Sequence, residues 1–247
     1  MKTRCYTQDE LLICMLAREL KDHEKIGVGN NSPVPAAAAL LAQALHAPNA
    51  TVYILGQPDW PFEGTHEFFN LMQRGGIDVF FLSGAQIDAY GNINLHVIGN
   101  YSAPKVRLPG GAGSAVVYFM CKRIFLFKTD HNAKGFPEKL DFVTSSASSE
   151  PYVNRNSQLE GVFTPLGIMR PSAREGGRLQ LSHTAPGIEP LHVQTQTGFE
   201  LGITSVPILE IAEPTAEELQ LLRGVVNLQL KRIYPEFARN TFGTVEA

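Results

Sequence analysis

The chain has 247 residues, 44% hydrophobic and 18% charged, enough to bury a sizeable core without disulfides and too apolar for a disordered protein. Its net charge of −3 argues against a generally basic nucleic-acid binder, and no apolar run approaches the roughly 18 residues of a membrane span. The three cysteines, Cys5, Cys14 and Cys121, form no CxxC, which excludes a disulfide framework or a Cys-built zinc site and fits a reducing, cytoplasmic setting.

At the start, Lys2 and Arg4 precede no apolar stretch, so no signal peptide is expected. Thr7 and Glu10 have the spacing of a capping box, and Leu11, Leu12, Met15, Leu16 and Leu20 recur at helical intervals, which predicts a helix from Thr7 to Lys21. A short strand from Lys25 to Gly29 and an alanine-rich helix from Pro33 to Leu45 follow. Thr51 to Leu55 is a buried strand, Thr65 to Arg74 a helix stopped by Gly75-Gly76, and Asp78 to Leu82 a second apolar strand. A helix is expected from Gly113 to Phe119 and a third apolar strand from Arg123 to Lys128. Ser145 to Ser157 reads as a polar loop. Short strands are expected at Gly161 to Thr164 and Leu179 to Ser182, and helices at Pro190 to Thr195 and Thr215 to Arg223, the latter with a capping box of Thr215 and Glu218. The segment after Leu228 is a tail or a partner-facing arm. Strands that are apolar throughout and alternate with helices give an α/β fold, an open, mainly parallel sheet with helices on both faces. The whole of residues 1–247 is read as one domain, with a C-terminal interface arm from about 224.

Three segments carry chemistry. Ser83 to Asn94 follows a buried strand, where open α/β sheets place their ligand crevices. Its small residues admit close approach, and Gln86, Asp88 and Asn92 stand at the strand's carboxyl end; an ordinary strand–turn–strand connection explains the same residues. Arg107 to Ala115 holds Gly110, Gly111 and Gly113 before a helix start, where backbone N–H groups can cradle a phosphate or an oxyanion. It is neither a Walker loop nor a dinucleotide fingerprint. Asp130 to Gly135 offers His131 as a base and Lys134 as a phosphate contact; a hydrogen-bonded loop histidine is the plain alternative. From Lys105 to Lys139 seven cations face two acids, whereas Leu179 to Leu222 has six glutamates and no cation. The remaining histidines show no metal spacing, so no metal is expected.

In this order the segments Gly84-Ala85-Gln86-Ile87-Asp88, Tyr90-Gly91-Asn92-Ile93-Asn94, Lys105 to Gly113 and His131-Asn132-Ala133-Lys134-Gly135 closely resemble the B (β) subunit of class I coenzyme A transferases. Lys139 to Thr144, Gly161-Val162-Phe163, Thr197 to Leu201 and Pro214 to Leu219 extend the resemblance over nearly the whole chain. It implies an open α/β sheet, a partner A (α) subunit in an αβ or α2β2 assembly, and a site for a CoA thioester, which is a substrate rather than a permanent cofactor. It also implies a glutamate of the β chain that attacks the thioester to give a glutamyl-CoA.

Here the sequence departs from the pattern. The stretch His46 to Gly56 puts Leu55 or Ile54 where that glutamate belongs, and neither side chain is a nucleophile. Asp59 and Glu63 are the nearest acids downstream, and capping or lining the next helix accounts for both. The resemblance therefore implies acyl-CoA chemistry shifted toward hydrolysis, C–C cleavage or decarboxylation, as in related heteromers without the glutamate. In that reading Asn30, Asn31 and the glycine loop hold the thioester region, Gln86, Asp88 and Asn92 shape the acyl pocket, and Arg107 and Lys134 serve the CoA. The alternatives are a transferase with Glu63 or Asp59 as a displaced nucleophile, and a non-catalytic scaffold subunit.

Overall fold

The computed structural model describes residues 5–204 and 207–242. In chain order the elements are α1 (Gln8–Ala17), β1 (Lys25–Val28), α2 (Pro33–Leu45), β2 (Thr51–Ile54), α3 (Gly64–Gln73), β3 (Val79–Leu82), β4 (Gln86–Ile87), β5 (Ile93–Asn94), β6 (Val97–Asn100) and β7 (Ala103–Arg107). Then come α4 (Ser114–Met120), β8 (Arg123–Phe127), β9 (Gln158–Thr164), β10 (Gly167–Ser172), β11 (Arg178–Thr184), α5 (Pro190–Thr195), β12 (Leu209–Glu210), α6 (Ala216–Leu221), α7 (Asn227–Ile233) and α8 (Pro235–Phe242). A π-helical turn, Leu222–Val226, joins α6 to α7. The pairings are mainly parallel (β1 with β2, β3 with β8, β8 with β9, β11 with β12), and β9, β10 and β11 run antiparallel. This is the open, mainly parallel α/β sheet that the sequence predicts. Contacts group the chain into two compact units, residues 1–63 with 212–247, and residues 64–211.

In the first unit β1 and β2 pair in register from Lys25 opposite Thr51 to Val28 opposite Ile54. Helix α1 buries every residue from Glu10 to Ala17, which explains an apolar surface all around it rather than a stripe. The expected capping box is present at its start, as is the one at Thr215 and Glu218. The buried carboxylates of these two boxes exchange arginines. Arg18, just past α1, grips Glu218 at 2.7 Å, and Arg223, just past α6, grips Glu10 at 2.6 Å. The described part of the segment after Leu228, as far as Phe242, is helical. Leu230, Ala238 and Phe242 are buried, and Val225 and Leu228 are exposed. Helix α1 stops at Ala17 rather than Lys21, and Leu20 is still buried, so the apolar spacing outlasts the helix.

In the second unit the strand order is β12-β11-β10-β9-β8-β3. Phe81 of β3 stacks on Phe125 of β8, which meets Phe163 of β9 edge-on, both at 5.7 Å between ring centres. Strand β10, which the sequence reading does not contain, carries Pro171. It is tolerated because β9 pairs with β10 only as far as Met169, so the missing N–H leaves no ladder bond unmade on that side. Between β8 and β9 the polar loop is tied down by Arg155. Its guanidinium donates to the carbonyls of Tyr118, Ser146 and Ser148 and to the hydroxyls of Ser149 and Ser157. Among the described residues no helix is long and apolar enough to cross a membrane.

Candidate active site

The candidates fall into one group in each unit. In the first, the loops at the carboxyl ends of β1 and β2 adjoin each other. Asn30 Oδ1 accepts the Asn31 amide at 3.0 Å, Asn31 holds a left-handed φ of 51°, and a Cβ on Gly56 would lie 3.9 Å from Asn30 Oδ1. Both asparagines are exposed. Ile54 ends β2 and is 1% exposed; Leu55, half-buried, donates its amide to Val28 O. Ile54 and Asp59 line one pocket of about 190 Å³ with Leu40, Val52, Gln57 and Arg232. Asp59 is 83% exposed and pairs with Arg232 at 3.4 Å, a surface contact of small energetic weight. Glu63 is exposed, and Trp60, Phe62 and Tyr53 pack into an aromatic cluster beside it in sequence.

In the second unit, Gln86, Asp88 and Asn92 build the β4–β5 hairpin. Asp88 accepts the amides of Tyr90 and Asn92 and the Asn92 side-chain amide, all at 2.9 Å, which is the turn chemistry that Tyr90-Gly91-Asn92 announces. Gln86 is buried, bonds Asp141 at 2.8 Å through Nε2, and accepts Asn94 Nδ2 at 2.7 Å. Their polar atoms are therefore engaged in shaping a wall. Lys128, at the end of β8, donates to Gly84 O at 3.1 Å and joins the carboxyl ends of β3 and β8. Its charge beside that backbone is a feature the sequence reading passes over.

The glycine loop arches from β7 to α4. Gly110 has φ 97° and donates its amide to Leu95 O. A Cβ on Gly111 would fall 2.4 Å from Thr144 Cγ2, and one on Gly113 would fall 2.0 Å from the Phe69 ring. Gly111 and Gly113 are thus demanded by packing as well as by any ligand. Arg107 is exposed and lies over the Tyr101 ring at 4.9 Å. Beneath the loop, His96 Nδ1 meets Thr144 Oγ1 at 2.7 Å, and its ring packs on Phe142 at 4.7 Å.

His131 lies between two threonine hydroxyls, Nδ1 at 2.8 Å from Thr164 and Nε2 at 3.0 Å from Thr197. Thr197 spends its own proton on Val193 O, so it accepts from Nε2–H; the Thr164 hydroxyl proton has two acceptors, the bare Nδ1 at 2.8 Å and Gly167 O at 3.2 Å. Burial lowers the His131 pKa to about 4, with Lys128 and His192 adding to the drop and Asp130 opposing it. It is a neutral, hydrogen-bonded ring at neutral pH. Lys134 is exposed, in a turn made by Asn132 Oδ1 accepting the Lys134 and Gly135 amides. Burial pushes the Cys14 and Cys121 thiols up to about 12, which leaves them inert. Among the described residues no group of three His, Cys, Asp or Glu can hold a metal.

Comparison with known proteins decides the family. The model of the coenzyme A transferase family matches residues 12–196, a span that includes every candidate residue. The chain belongs to the coenzyme A transferase family. It is 32% identical to the B chain of 3-oxoadipate CoA-transferase from Pseudomonas knackmussii over 89% of this chain and 93% of that one. It is 26% identical to the corresponding chain of glutaconate CoA-transferase from Acidaminococcus fermentans over 87% and 91%. The crystal structure of glutaconate coenzyme A-transferase from that organism superposes with a TM-score of 0.79 at 22% identity, covering 96% of this chain and 98% of that one. The decarboxylase AibA/AibB shares the fold at a TM-score of 0.73 and 20% identity over 96% and 99%.

Within this coenzyme A transferase chain, Asp141, Thr144, His96 and Lys128 join the candidates only in three dimensions. Asp141 and Thr144 lie 55 and 48 residues from their partners Gln86 and His96. The only sequence signal for them is the Lys139 to Thr144 segment that shares the family pattern.

Proposed function

We propose that this chain is the β subunit of a heteromeric, cytoplasmic enzyme that pairs with a coenzyme A transferase α subunit, as αβ or α2β2, and acts on an acyl-CoA thioester. Its chemistry is hydrolysis, C–C cleavage or decarboxylation rather than CoA transfer. The observation that carries this reading is Ile54, a buried hydrocarbon at the carboxyl end of β2 in the stretch where the family resemblance expects a glutamate. A glutamyl-CoA cannot form there, because the side chain has no lone pair to attack the thioester carbon. In the hydrolytic form, water oxygen bonds to the acyl carbon, the C–S bond breaks, the thiolate leaves as CoA, and the acid is released.

The candidate groups of each unit then take distinct roles. In the first unit Asn30 and Asn31 present exposed amides beside Gly56 as thioester contacts. In the second the backbone around Gly110, Gly111 and Gly113 is a further thioester contact. Gln86, through Asp141 and Asn94, and Asp88, through Tyr90 and Asn92, fix the wall of the acyl pocket. Arg107 and Lys134 offer exposed charge to the CoA phosphates. His131, neutral and doubly bonded, holds the loop that carries Lys134.

A second reading, a transferase with a displaced nucleophile, is favoured by one observation: Asp59 lines the same pocket as Ile54, and among the described residues its carboxylate is held only by the exposed contact to Arg232. The experiment incubates the co-expressed α and β subunits with a panel of CoA thioesters plus acetate and follows products by mass. Free CoA or a decarboxylated thioester without acetyl-CoA supports the first reading. Acetyl-CoA, with a hydroxylamine-sensitive adduct on Asp59 or Glu63, establishes the second. Turnover of none of them leaves a scaffold subunit.

A further inference from the structure

The ring of His96 is fixed in one orientation and one tautomer. Thr144 Oγ1 accepts the Leu95 amide at 2.8 Å and lies 2.7 Å from His96 Nδ1. Among the described residues Nδ1 is the one acceptor within reach of the Thr144 hydroxyl proton, so the half-buried hydroxyl gives its proton to Nδ1 while a lone pair takes the Leu95 amide. The imidazole proton is therefore on Nε2. Phe142, 4.7 Å away, holds the face of the ring. On the other edge, Nε2 meets no protein acceptor among the described residues. It points at the glycine loop, 3.9 Å from where a Cβ of Gly110 would stand, and Cε1 is 3.7 Å from that of Gly111. Gly110 puts no side chain over the N–H, where a Cβ would meet nothing nearer than Nε2 itself, and His96 is only half-buried.

We propose that His96 is a substrate-contacting residue, whose Nε2–H donates a hydrogen bond to the thioester carbonyl oxygen of an acyl-CoA lying along the Gly110-Gly111 loop, with Thr144 as its positioning residue. This rests on the acyl-CoA reading above and adds the group that meets the charge. One donor serves every reaction of that reading. Hydrolysis places negative charge on the thioester oxygen in the tetrahedral intermediate. Decarboxylation and C–C cleavage place it there in the thioester enolate. No proton changes owner at His96; the bond only tightens as charge builds, which favours the transition state over the ground state.

The test uses the co-expressed complex with the CoA thioester it turns over fastest. His96→Phe keeps the stacking on Phe142 and removes the donor; His96→Gln keeps a donor near the Nε2 position. The expected result is a fall in kcat of roughly 10–1,000-fold for His96→Phe with KM much less affected, and recovery to within about tenfold for His96→Gln. NMR of the 15N-histidine-labelled complex should show a neutral Nε2–H tautomer for the resonance that His96→Gln deletes, and Thr144→Val should shift it toward the Nδ1–H form. An Nδ1–H tautomer in the native complex overturns the proposal whatever the kinetics. So does an unchanged kcat in His96→Phe, which leaves the acyl-CoA reading standing. A native complex that turns over no CoA thioester removes both.

Discussion

His131 shows how a single buried ring couples the fold to pH. The unfolded chain protonates this histidine near pH 6.5, the folded one only near pH 4 because burial disfavours the cation. Between those values the unfolded state binds more protons, so stability falls as pH falls, by about 3 kcal/mol in all, and the loss is complete below about pH 4. Thermal melts from pH 7.5 to 4.5 should show this slope, and His131→Gln should flatten it; equal slopes in the two proteins would refute the assignment. Gly113 makes a second residue-scale case. A methyl group there would enter the Phe69 ring, so Gly113→Ala should destabilise by about 1–3 kcal/mol in urea unfolding through overpacking, and Gly176→Ala, with open space around it, should cost about 1–2 kcal/mol through its left-handed φ alone. The sequence announces the Asp88 turn because its partners lie two and four residues away. It is silent on Gln86 with Asp141 and on His96 with Thr144, because those bonds depend on where a long loop returns.

At the scale of elements, local chemistry was readable and distant exchange was not. Thr7 with Glu10 and Thr215 with Glu218 are visible as spacings of three, and both boxes form. That each box glutamate also takes an arginine from the end of the other helix is invisible, since the partners are 200 and 213 residues apart. Glu218 is 4% exposed. Burial pushes its carboxyl up, and the bonds from Arg18 and Thr215 outweigh that and hold it lowered. Arg18→Met strands this buried charge and should destabilise by about 3–5 kcal/mol. Arg18→Met with Glu218→Gln, which keeps the capping acceptor, should lose markedly less than the sum of the single changes, by about 1–3 kcal/mol of coupling. Additive changes in a urea double-mutant cycle would show the pair to be idle. Strand β10 illustrates the opposite failure. Pro171 and Arg170 break any period-two pattern, and only the early end of the β9 ladder makes such a strand possible.

For the whole molecule, apolar strands between helices sufficed to indicate a mainly parallel α/β sheet, because strands covered on both faces lose their alternation. The antiparallel β9-β10-β11 run and the division into two units were not legible. Both depend on long-range closure, which no local window of sequence encodes. One consequence concerns synthesis. The first unit is assembled from residues 1–63 and 212–247, the second from an uninterrupted stretch. A ribosome moving at about 5–20 residues per second has the whole of 64–211 in hand before α6 exists. For on the order of ten seconds, then, the apolar α1 waits without the helices that carry Glu218 and Arg223. The nascent chain is most in need of a chaperone in that interval. A chain stalled at residue 211 should be cut by protease within its first 63 residues and be protected across the middle, and release of the last helices should reverse that sensitivity.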